Sequence, residues 1–256
     1  MSNPHTLFPN KVVLEPISHT YQCSNGNQYL SVSRFLSLLS ERFEDTIAYK
    51  RASEATKLEW KGKGKTAADH GTNIHEALEL YNKTGQILQT NAHLEQAIKS
   101  ITAEYNSYHQ SYDEICLYND KYRIAGTTDK ICMISNRKEC EVDLADYKTN
   151  ISKGIYYFSD YKKRMFPPLD HLQDCNYVKY SLQLSIYAYF FEELTGRKVR
   201  QLYIHFIPPN DMMQHRKIPV MYMKNDVKIL LELYKDTVLN IVEPVMINQT
   251  EDEEEF

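Results

Sequence analysis

The stretch Cys140-Glu141-Val142-Asp143-Leu144-Ala145-Asp146-Tyr147-Lys148-Thr149-Asn150 decides the predicted fold. It is typical of a β-strand, and because side chains alternate along a strand, Val142, Leu144, Asp146 and Lys148 share one face. An apolar face that ends in a carboxylate and an ammonium is unusual for a purely structural strand, since burying charge is costly. The pattern therefore indicates a place where a metal ion and a phosphate meet the strand.

Helices and strands are predicted on both sides of this segment. Apolar residues at helical spacing predict helices over 66–82, 91–110, 174–195 and 224–244, with Gly196 ending the third. Alternating residues predict strands over 112–118, 122–128 (continued by 130–134), 141–148 and 199–207. Residues 1–28 are predicted to be irregular, as are 151–173, and Ser33 is the predicted N-cap of a first short helix. This order predicts an α/β fold with a central mixed β-sheet flanked by helices and an N-terminal helical region.

The composition is that of an ordinary globular protein. Of 256 residues, 42% are hydrophobic and 25% charged, and no apolar run is long enough for a membrane span. Residues 1–10 do not have the pattern of a secretory signal. The five cysteines are scattered and have no CxxC spacing, so neither a disulfide framework nor a thiolate metal site is expected. We therefore expect a cytoplasmic protein that does not bind membranes.

Two charged segments lie outside the predicted core. Lys61, Lys63 and Lys65 alternate with glycines and predict a basic connector that is either a solvated loop or a loop that contacts phosphates. The net charge is −4, and the five acidic residues at 251–255 contribute −5, so the rest of the chain carries a net charge of +1. That run is either a solvated tail or a segment that competes with DNA for a basic groove or docks a protein partner.

A second carboxylate is predicted to join Asp146. Asp129 ends the strand segment Ile124-Ala125-Gly126-Thr127-Thr128-Asp129, and Gly126 would permit close backbone approach there. Two carboxylates suit Mg²⁺ or Mn²⁺, and Lys148 would then steer or deprotonate a water and offset charge on a phosphate. The alternative for Asp146 and Lys148 is a plain surface ion pair.

Two further polar patterns lie on predicted helices. The segment 70–75 is predicted to open a helix, and His75 lies four residues before Glu79 on that helix. His75 alone is also compatible with an ordinary helix histidine. Gln183 and Tyr187, four residues apart on the third predicted helix, form either part of a site or a polar stripe over the sheet.

Together these motifs resemble those of the PD-(D/E)XK nuclease superfamily. The motifs are Gly71-Thr72-x-x-His75, Gly126-Thr127-x-Asp129, Asp146-x-Lys148-Thr149 and Gln183-x-x-x-Tyr187, in that order within residues 70–187. They are similar in particular to the RecB-like branch, which includes phage-type and mitochondrial genome maintenance exonucleases. The segment Ser31-Val32-Ser33 resembles a serine-containing segment before the first helix of such enzymes. The resemblance implies a restriction-endonuclease-like core.

The resemblance also implies a metal site. Asp129 and Asp146 would hold Mg²⁺ or Mn²⁺, and the imidazole of His75 and the backbone carbonyl of Tyr147 would complete the protein ligands. Lys148 would be the catalytic lysine. The expected activity is Mg²⁺-dependent hydrolysis of DNA, by an exonuclease in recombination, repair or phage genome processing.

Other matched residues receive supporting roles by the same resemblance. Gln183 and Tyr187 would hydrogen-bond Lys148 or the scissile phosphate. Glu79 and Glu114 are candidates for a second metal ion or for orienting water. Some branches carry an iron–sulfur cluster held by one upstream and three downstream cysteines; only Cys175 lies in the downstream region, so no cluster is expected.

The substrate implied is DNA, single-stranded or with a free end. Aromatic side chains alternate with basic side chains in the segment that follows the predicted strand 141–148. The aromatic rings either stack on the bases of a nucleic-acid strand or pack the loop. The predicted nucleic-acid contacts are Ser33, Arg34, Lys61, Lys63, Lys65, Thr149, Tyr156, Tyr157, Lys162, Lys163 and Arg164. The alternative function is a non-catalytic nucleic-acid-binding protein on a nuclease fold. If the chain is encoded by a phage, the expected location is the host cytoplasm.

A single nuclease domain is predicted over residues 1–249. Within it, 1–65 form an N-terminal extension with helices, 66–207 the catalytic core and 208–249 a C-terminal helical part. The acidic tail is assigned to 250–256. The sequence predicts neither the oligomeric state nor the direction of digestion.

Overall fold

The computed structural model of the protein describes residues 12–15, 20–87, 92–135, 140–149, 154–159, 162–208 and 215–242. The described strands are β1 (Val12–Glu15), β2 (Thr20–Cys23), β3 (Gln28–Ser31), β4 (Gln110–Asn119), β5 (Ile124–Met133), β6 (Val142–Lys148), β7 (Val199–Phe206) and β8 (Arg216–Val220). The described α-helices are α1 (Val32–Ser37), α2 (Ile47–Arg51), α3 (Glu54–Thr84), α4 (Ala92–Tyr105), α5 (Asn176–Thr195) and α6 (Lys224–Val242). The predicted acidic tail lies outside the described residues, and the division into parts of one domain stays a prediction.

The strands form one mixed sheet, which confirms the predicted fold class. Its order is β1-β2-β3-β5-β6-β7-β8, and β4 pairs with β5 outside this path. The β4–β5 and β5–β6 pairs are antiparallel, whereas β6 and β7 are parallel. Helices flank the sheet, and no described helix has the length and apolarity needed to cross a membrane.

Strand β6 separates two cores of the protein, because its side chains alternate between the two faces of the sheet. Val142 and Leu144 are fully buried in a core that includes side chains of α1, α5 and α6. Ala145 and Tyr147 are buried in a second core with side chains of α3 and α4. The strand is therefore covered on both faces, and its polar residues near the carboxyl end have little access to water.

Helix α3 corrects two sequence predictions. The lysine-rich segment 61–65 is not a connector, and residues 70–75 do not open a helix, because α3 runs without interruption over Glu54–Thr84. Its glycines each cost about 1 kcal/mol relative to alanine, which the long hydrogen-bonded helix tolerates. Ser53 caps the helix by accepting a hydrogen bond from the Thr56 amide. Gly85, with φ of 69°, ends it in the left-handed conformation.

The N-terminal region and the chain after residue 215 also differ from the prediction. Parts of 1–28 form the antiparallel strands β1 and β2, and β8 is a further strand that the sequence did not suggest. Each has only four or five residues, too few for alternation to be recognised. The N-cap of α1 is Ser31 rather than Ser33, since the Ser31 hydroxyl accepts from the Arg34 amide.

Candidate active site

The end of β6 carries the two charged residues that the sequence singles out. The carboxylate of Asp146 is buried, with 2% of the residue exposed, and it forms an ion pair with the ammonium of Lys148. The Lys148 side chain is 17% exposed, and its Nζ lies 4.8 Å from the centre of the Tyr180 ring. The pair is therefore buried, unlike the surface ion pair that the sequence left open.

Asp129 joins this pair from the neighbouring strand. It lies within β5 and not at its end, which corrects the predicted position. Antiparallel pairing sets Lys130 opposite Ala145 and so carries Asp129 toward Asp146. Its Oδ2 accepts a hydrogen bond of 2.6 Å from the amide of Tyr147. A backbone amide therefore fixes the orientation of the Asp129 carboxylate.

His75 reaches the same place from the middle of α3. Its Nδ1 lies 3.4 Å from Oδ1 of Asp129, and its Nε2 lies 3.3 Å from the carbonyl oxygen of Tyr147. The ring is half-buried and meets the Tyr147 ring edge to face. Both imidazole nitrogens thus point at oxygen acceptors, an arrangement that favours the doubly protonated ring in the absence of a metal ion.

Glu114 belongs to this cluster, whereas Glu79 lies at its edge. Glu114 Oε1 is 4.0 Å from His75 Nδ1, and one potential ligand atom each of His75, Glu114 and Asp129 lies within 4.8 Å of the others. The backbone of Glu114 has φ of 51°, a left-handed conformation that costs energy for a non-glycine residue and often occurs at functional sites. Glu79 instead pairs with Lys83 one helical turn further along α3.

The charges of the cluster shift each other's pKa values. Burial alone would lower the pKa of His75, but interactions with Asp129 and Glu114 raise it to about 10. Burial raises the pKa of Asp146 to about 6, and the charge of Asp129 adds to this effect while Lys148 opposes it. For Asp129, burial is outweighed by the positive charges of His75 and Lys148, so its pKa is lowered.

The donor set fits a divalent cation. The carboxylates of Asp129, Asp146 and Glu114, the Tyr147 carbonyl and the His75 imidazole offer mainly oxygen ligands, which Mg²⁺ and Mn²⁺ prefer. In the metal-free protein the protonated His75 supplies the positive charge between these acceptors. A cation at this place would therefore replace a proton and relieve the repulsion between buried carboxylates.

A proton-release measurement tests this exchange. Because the pKa of metal-free His75 is about 10 and only neutral imidazole binds metal, Mn²⁺ binding at pH 8 should release about one proton. Below pH 10 the apparent affinity should rise with pH, up to about tenfold per unit. Calorimetry in buffers of different ionisation enthalpy measures the released proton, and the His75→Gln variant is the control. Equal proton release from both proteins would exclude His75 as a ligand.

Gln183 and Tyr187 lie on α5 above the same strands. Gln183 Nε2 donates a 3.0 Å hydrogen bond to the hydroxyl of Tyr187, so the two act as a pair. The buried Tyr187 ring packs on Gly126 of β5, where an added Cβ would lie 2.7 Å from Cε1 of the ring. Gly126 thus permits close approach of a side chain, where the sequence suggested close approach of backbone.

Alanine at position 126 should disturb this packing. The added Cβ would also lie 3.0 Å from Val32 Cγ2, so neither neighbour can move freely in the core. We expect Gly126→Ala to lower the free energy of unfolding by about 1–3 kcal/mol. The control is Gly64→Ala on α3, where an added Cβ meets nothing within 4 Å and should stabilise the helix by about 0.5–1 kcal/mol. Urea midpoints of both variants measure the difference, and equal midpoints would contradict the expectation.

A cavity of about 560 Å³ opens beside Lys148. Ser33, Lys179, Tyr180 and Gln183 line it together with Lys148. The sequence analysis did not single out Tyr180 or Lys179 as site residues. Tyr180 is three residues before Gln183 on the same helix, and that i, i+3 spacing is the signal that could have revealed it.

The predicted nucleic-acid contacts are spread over several surfaces. Lys61, Lys63 and Lys65 lie exposed along α3, and Lys63 pairs with Glu59 at 2.6 Å. Thr149 follows β6 and lies close to α3, since a Cβ on Gly71 would lie 3.3 Å from its Oγ1. These contacts stay predictions, as do the roles of Ser33 at the cavity and Arg34 exposed on α1.

The segment after β6 is mostly irregular where the structure describes it. Tyr157 packs on Tyr177 of α5 with ring centres 4.6 Å apart, and the Tyr156 amide bonds to Asn176 Oδ1. Tyr157 is still 45% exposed, and the Tyr156 bond is made by its backbone, so both interpretations of these tyrosines stay open. The basic side chains Lys162, Lys163 and Arg164 are exposed, with Lys163 paired to Glu41 at 2.9 Å and Arg164 bonded to the His171 carbonyl.

No protein-family model and no curated protein matches this chain. A solved structure from Eubacterium rectale, described as a "Putative exonuclease", is similar to it with a TM-score of 0.44 and 16% sequence identity. The similarity covers 83% of this chain and 80% of that chain. A likeness at this level carries no information about the chemistry of the site.

Proposed function

We propose that the protein is a metal-dependent nuclease that hydrolyses phosphodiester bonds of DNA and acts from strand ends. The observation that carries this proposal is the convergence of His75, Asp129, Asp146 and Lys148. These residues come from α3, β5 and β6, and Lys148 among them lines the cavity. Such a nuclease would serve DNA recombination, repair or phage genome processing.

The carboxylates would hold the metal ion and fix its position. Asp129 is oriented by the Tyr147 amide, and Asp146 is held by its ion pair with Lys148. Bound Mg²⁺ would polarise a phosphoryl oxygen and lower the pKa of a coordinated water. Since both acids are buried, their negative charge is poorly screened by solvent and favours a divalent cation strongly.

Lys148 acts in this proposal as a positive charge and not as a base. Burial alone would lower the pKa of its amine, but the charges of Asp146 and Asp129 outweigh burial and raise this pKa. The ammonium therefore persists at neutral pH and can offset negative charge that develops on the phosphate. This refines the sequence-based hypothesis, which left open whether Lys148 deprotonates a water.

The cavity suggests how a phosphate would approach. Gln183 and Tyr180 line it beside Lys148, so an amide and a ring flank the ammonium. Tyr187 lies deeper, holding Gln183 through its hydroxyl. We therefore assign Gln183 to the phosphate and Tyr187 to positioning Gln183. The Tyr180 ring beside the basic Lys148 is suited to stack on a base of single-stranded DNA.

Digestion of end-labelled DNA tests the proposal. Linear single-stranded, linear double-stranded and circular single-stranded DNA are incubated with the full chain and Mg²⁺, Mn²⁺ or a chelator. We expect metal-dependent loss of linear DNA and survival of circles. Cleavage of circles would overturn the end requirement alone, while the absence of cleavage with either metal would overturn the nuclease proposal. Binding without cleavage would support the non-catalytic alternative.

A further inference from the structure

We propose a second metal site, formed by Glu104, His205 and His215, that binds a first-row transition ion such as Zn²⁺. Glu104 lies on α4, His205 on β7 and His215 immediately before β8. One potential ligand atom of each lies within 4.8 Å of the other two. The proposal is independent of the nuclease activity, because these residues belong to another part of the fold.

The site lies on the other face of the sheet from Lys148. His205 pairs in register with Tyr147, and the two rings contact each other at 6.0 Å between centres. Tyr147 faces the core under α3 and α4, whereas Asp146 and Lys148 alternate with it along β6. An ion bound by His205 would therefore be separated from Lys148 by the sheet and from His75 by the ring of Tyr147, which both histidines contact.

The two imidazoles lie close enough together to act as a pair of ligands. Nδ1 of His205 lies 2.9 Å from Nε2 of His215, and the two ring planes are nearly parallel, with an angle of 6° between them. Zn–N bonds of about 2.0–2.1 Å in tetrahedral geometry place two nitrogens about 3.3 Å apart. To bind the ion, the two nitrogens would move apart by a few tenths of an ångström, and the rings would turn so that both lone pairs point at the ion. His205 is fully buried, so the rest of the core fixes its ring.

The ionisation states also suit a metal. Burial is the main cause that lowers the pKa of His205 and of His215; Lys217 lowers both further, whereas the charge of Glu104 opposes the shift at His215. Both rings are therefore neutral at neutral pH, the form that binds metal ions. Two imidazoles and one carboxylate favour Zn²⁺ and similar ions over Mg²⁺, which prefers oxygen ligands and retained water.

Glu104 has a competing partner that can leave. Lys217 Nζ lies 3.0 Å from Glu104 Oε2 and 4.0 Å from the centre of the Tyr203 ring. The Lys217 side chain is 29% exposed, so it can give up Glu104 while keeping the ring contact and gaining water. A cavity of about 140 Å³ beside His215, lined also by Gln96 and Ser100, provides a route for a hydrated ion.

Zn²⁺ titration of the metal-stripped full chain, in excess Mg²⁺ and without nucleic acid, tests the site. The His75→Asn background removes the imidazole that could attract Zn²⁺ to the candidate active site. In that background we expect one Zn²⁺ per chain. Glu104→Gln and His215→Ala should each weaken Zn²⁺ binding at least about tenfold. Loss of a residue that only hydrogen-bonds a metal ligand already lowers the affinity by that much. Lys217→Met should tighten it, because the competing charge is gone.

Two readouts keep the test informative. Co²⁺ bound by two imidazoles and a carboxylate in a tetrahedral site gives strong visible absorption, which should vanish in Glu104→Gln and His215→Ala. Thermal unfolding without metal shows that each variant is folded, and Lys217→Met changes no proposed ligand. The proposal would be overturned if all three variants kept the Zn²⁺ affinity of their parent. It would also be overturned if only His75→Asn removed the Co²⁺ absorption. In either case His205 and His215 would be a hydrogen-bonded pair and not a metal site.

Discussion

Replacing Lys148 by alanine is expected to reduce DNA cleavage at least about 100-fold, because removing one group that stabilises developing charge costs about 100- to 1000-fold. The ammonium is held by Asp146, lies over the Tyr180 ring and reaches the cavity. Initial rates on end-labelled DNA measure the loss. Mn²⁺ binding should persist, since Lys148 is not among the proposed ligands.

Two controls separate catalysis from folding and from overall charge. Lys228→Ala removes an exposed lysine of α6 and should leave the rate unchanged. Thermal unfolding of Lys148→Ala reports the cost of leaving the buried Asp146 without its partner, which raises the pKa of that carboxyl further. A folded Lys148→Ala protein that cleaves within about threefold of the parent would contradict the role of Lys148 as charge stabiliser.

Replacing Asp146 by asparagine should abolish cleavage and weaken Mn²⁺ binding at least about tenfold. Loss of a residue that only hydrogen-bonds a metal ligand already has an effect of that size. Asparagine keeps the shape of the side chain but not its charge. Burial raises the pKa of Asp146 to about 6, so holding the ionised form costs the metal-free fold free energy. The variant should therefore gain stability relative to the parent as the pH rises from about 4 to 6.

Asp143 provides a matched control on the same strand. It is as buried as Asp146, but it pairs with Arg200 at 2.6 Å and accepts a 2.7 Å hydrogen bond from Tyr108. Asp143→Asn should lower the free energy of unfolding and leave Mn²⁺ affinity unchanged, the opposite of what we expect at Asp146. Calorimetric titration with Mn²⁺ and urea unfolding compare the two variants. Identical Mn²⁺ affinities would show that Asp146 is not a ligand.

Much of the candidate site could be predicted because its residues follow local patterns. Alternation along β6 identifies the face that ends in Asp146 and Lys148, and helical spacing pairs Gln183 with Tyr187. The left-handed Gly196 ends α5 as its sequence predicts. Each of these features depends on neighbours within a few residues, so the order of residues alone reveals it.

The longer-range features depend on pairing and packing. Asp129 was predicted at a strand end, but the antiparallel register with β6, and not an end of β5, brings it to Asp146. The segment containing Gly64 was predicted as a loop, yet it continues a helix. Local propensity gave the wrong answer there because a weak helix-former costs only about 1 kcal/mol in a long helix.

The order of residues alone is enough to predict the central strand, its apolar face that ends in Asp146 and Lys148, and the residue types that could hold a cation. Folding of the whole chain was needed to bring His75 between Asp129 and the Tyr147 carbonyl, and to bring His205 of β7 against His215, which immediately precedes β8. The physical reason is that periodicity reports which face of an element is buried. Which residues of distant elements touch depends on register and on the fit of side chains, and those are set by the whole chain together.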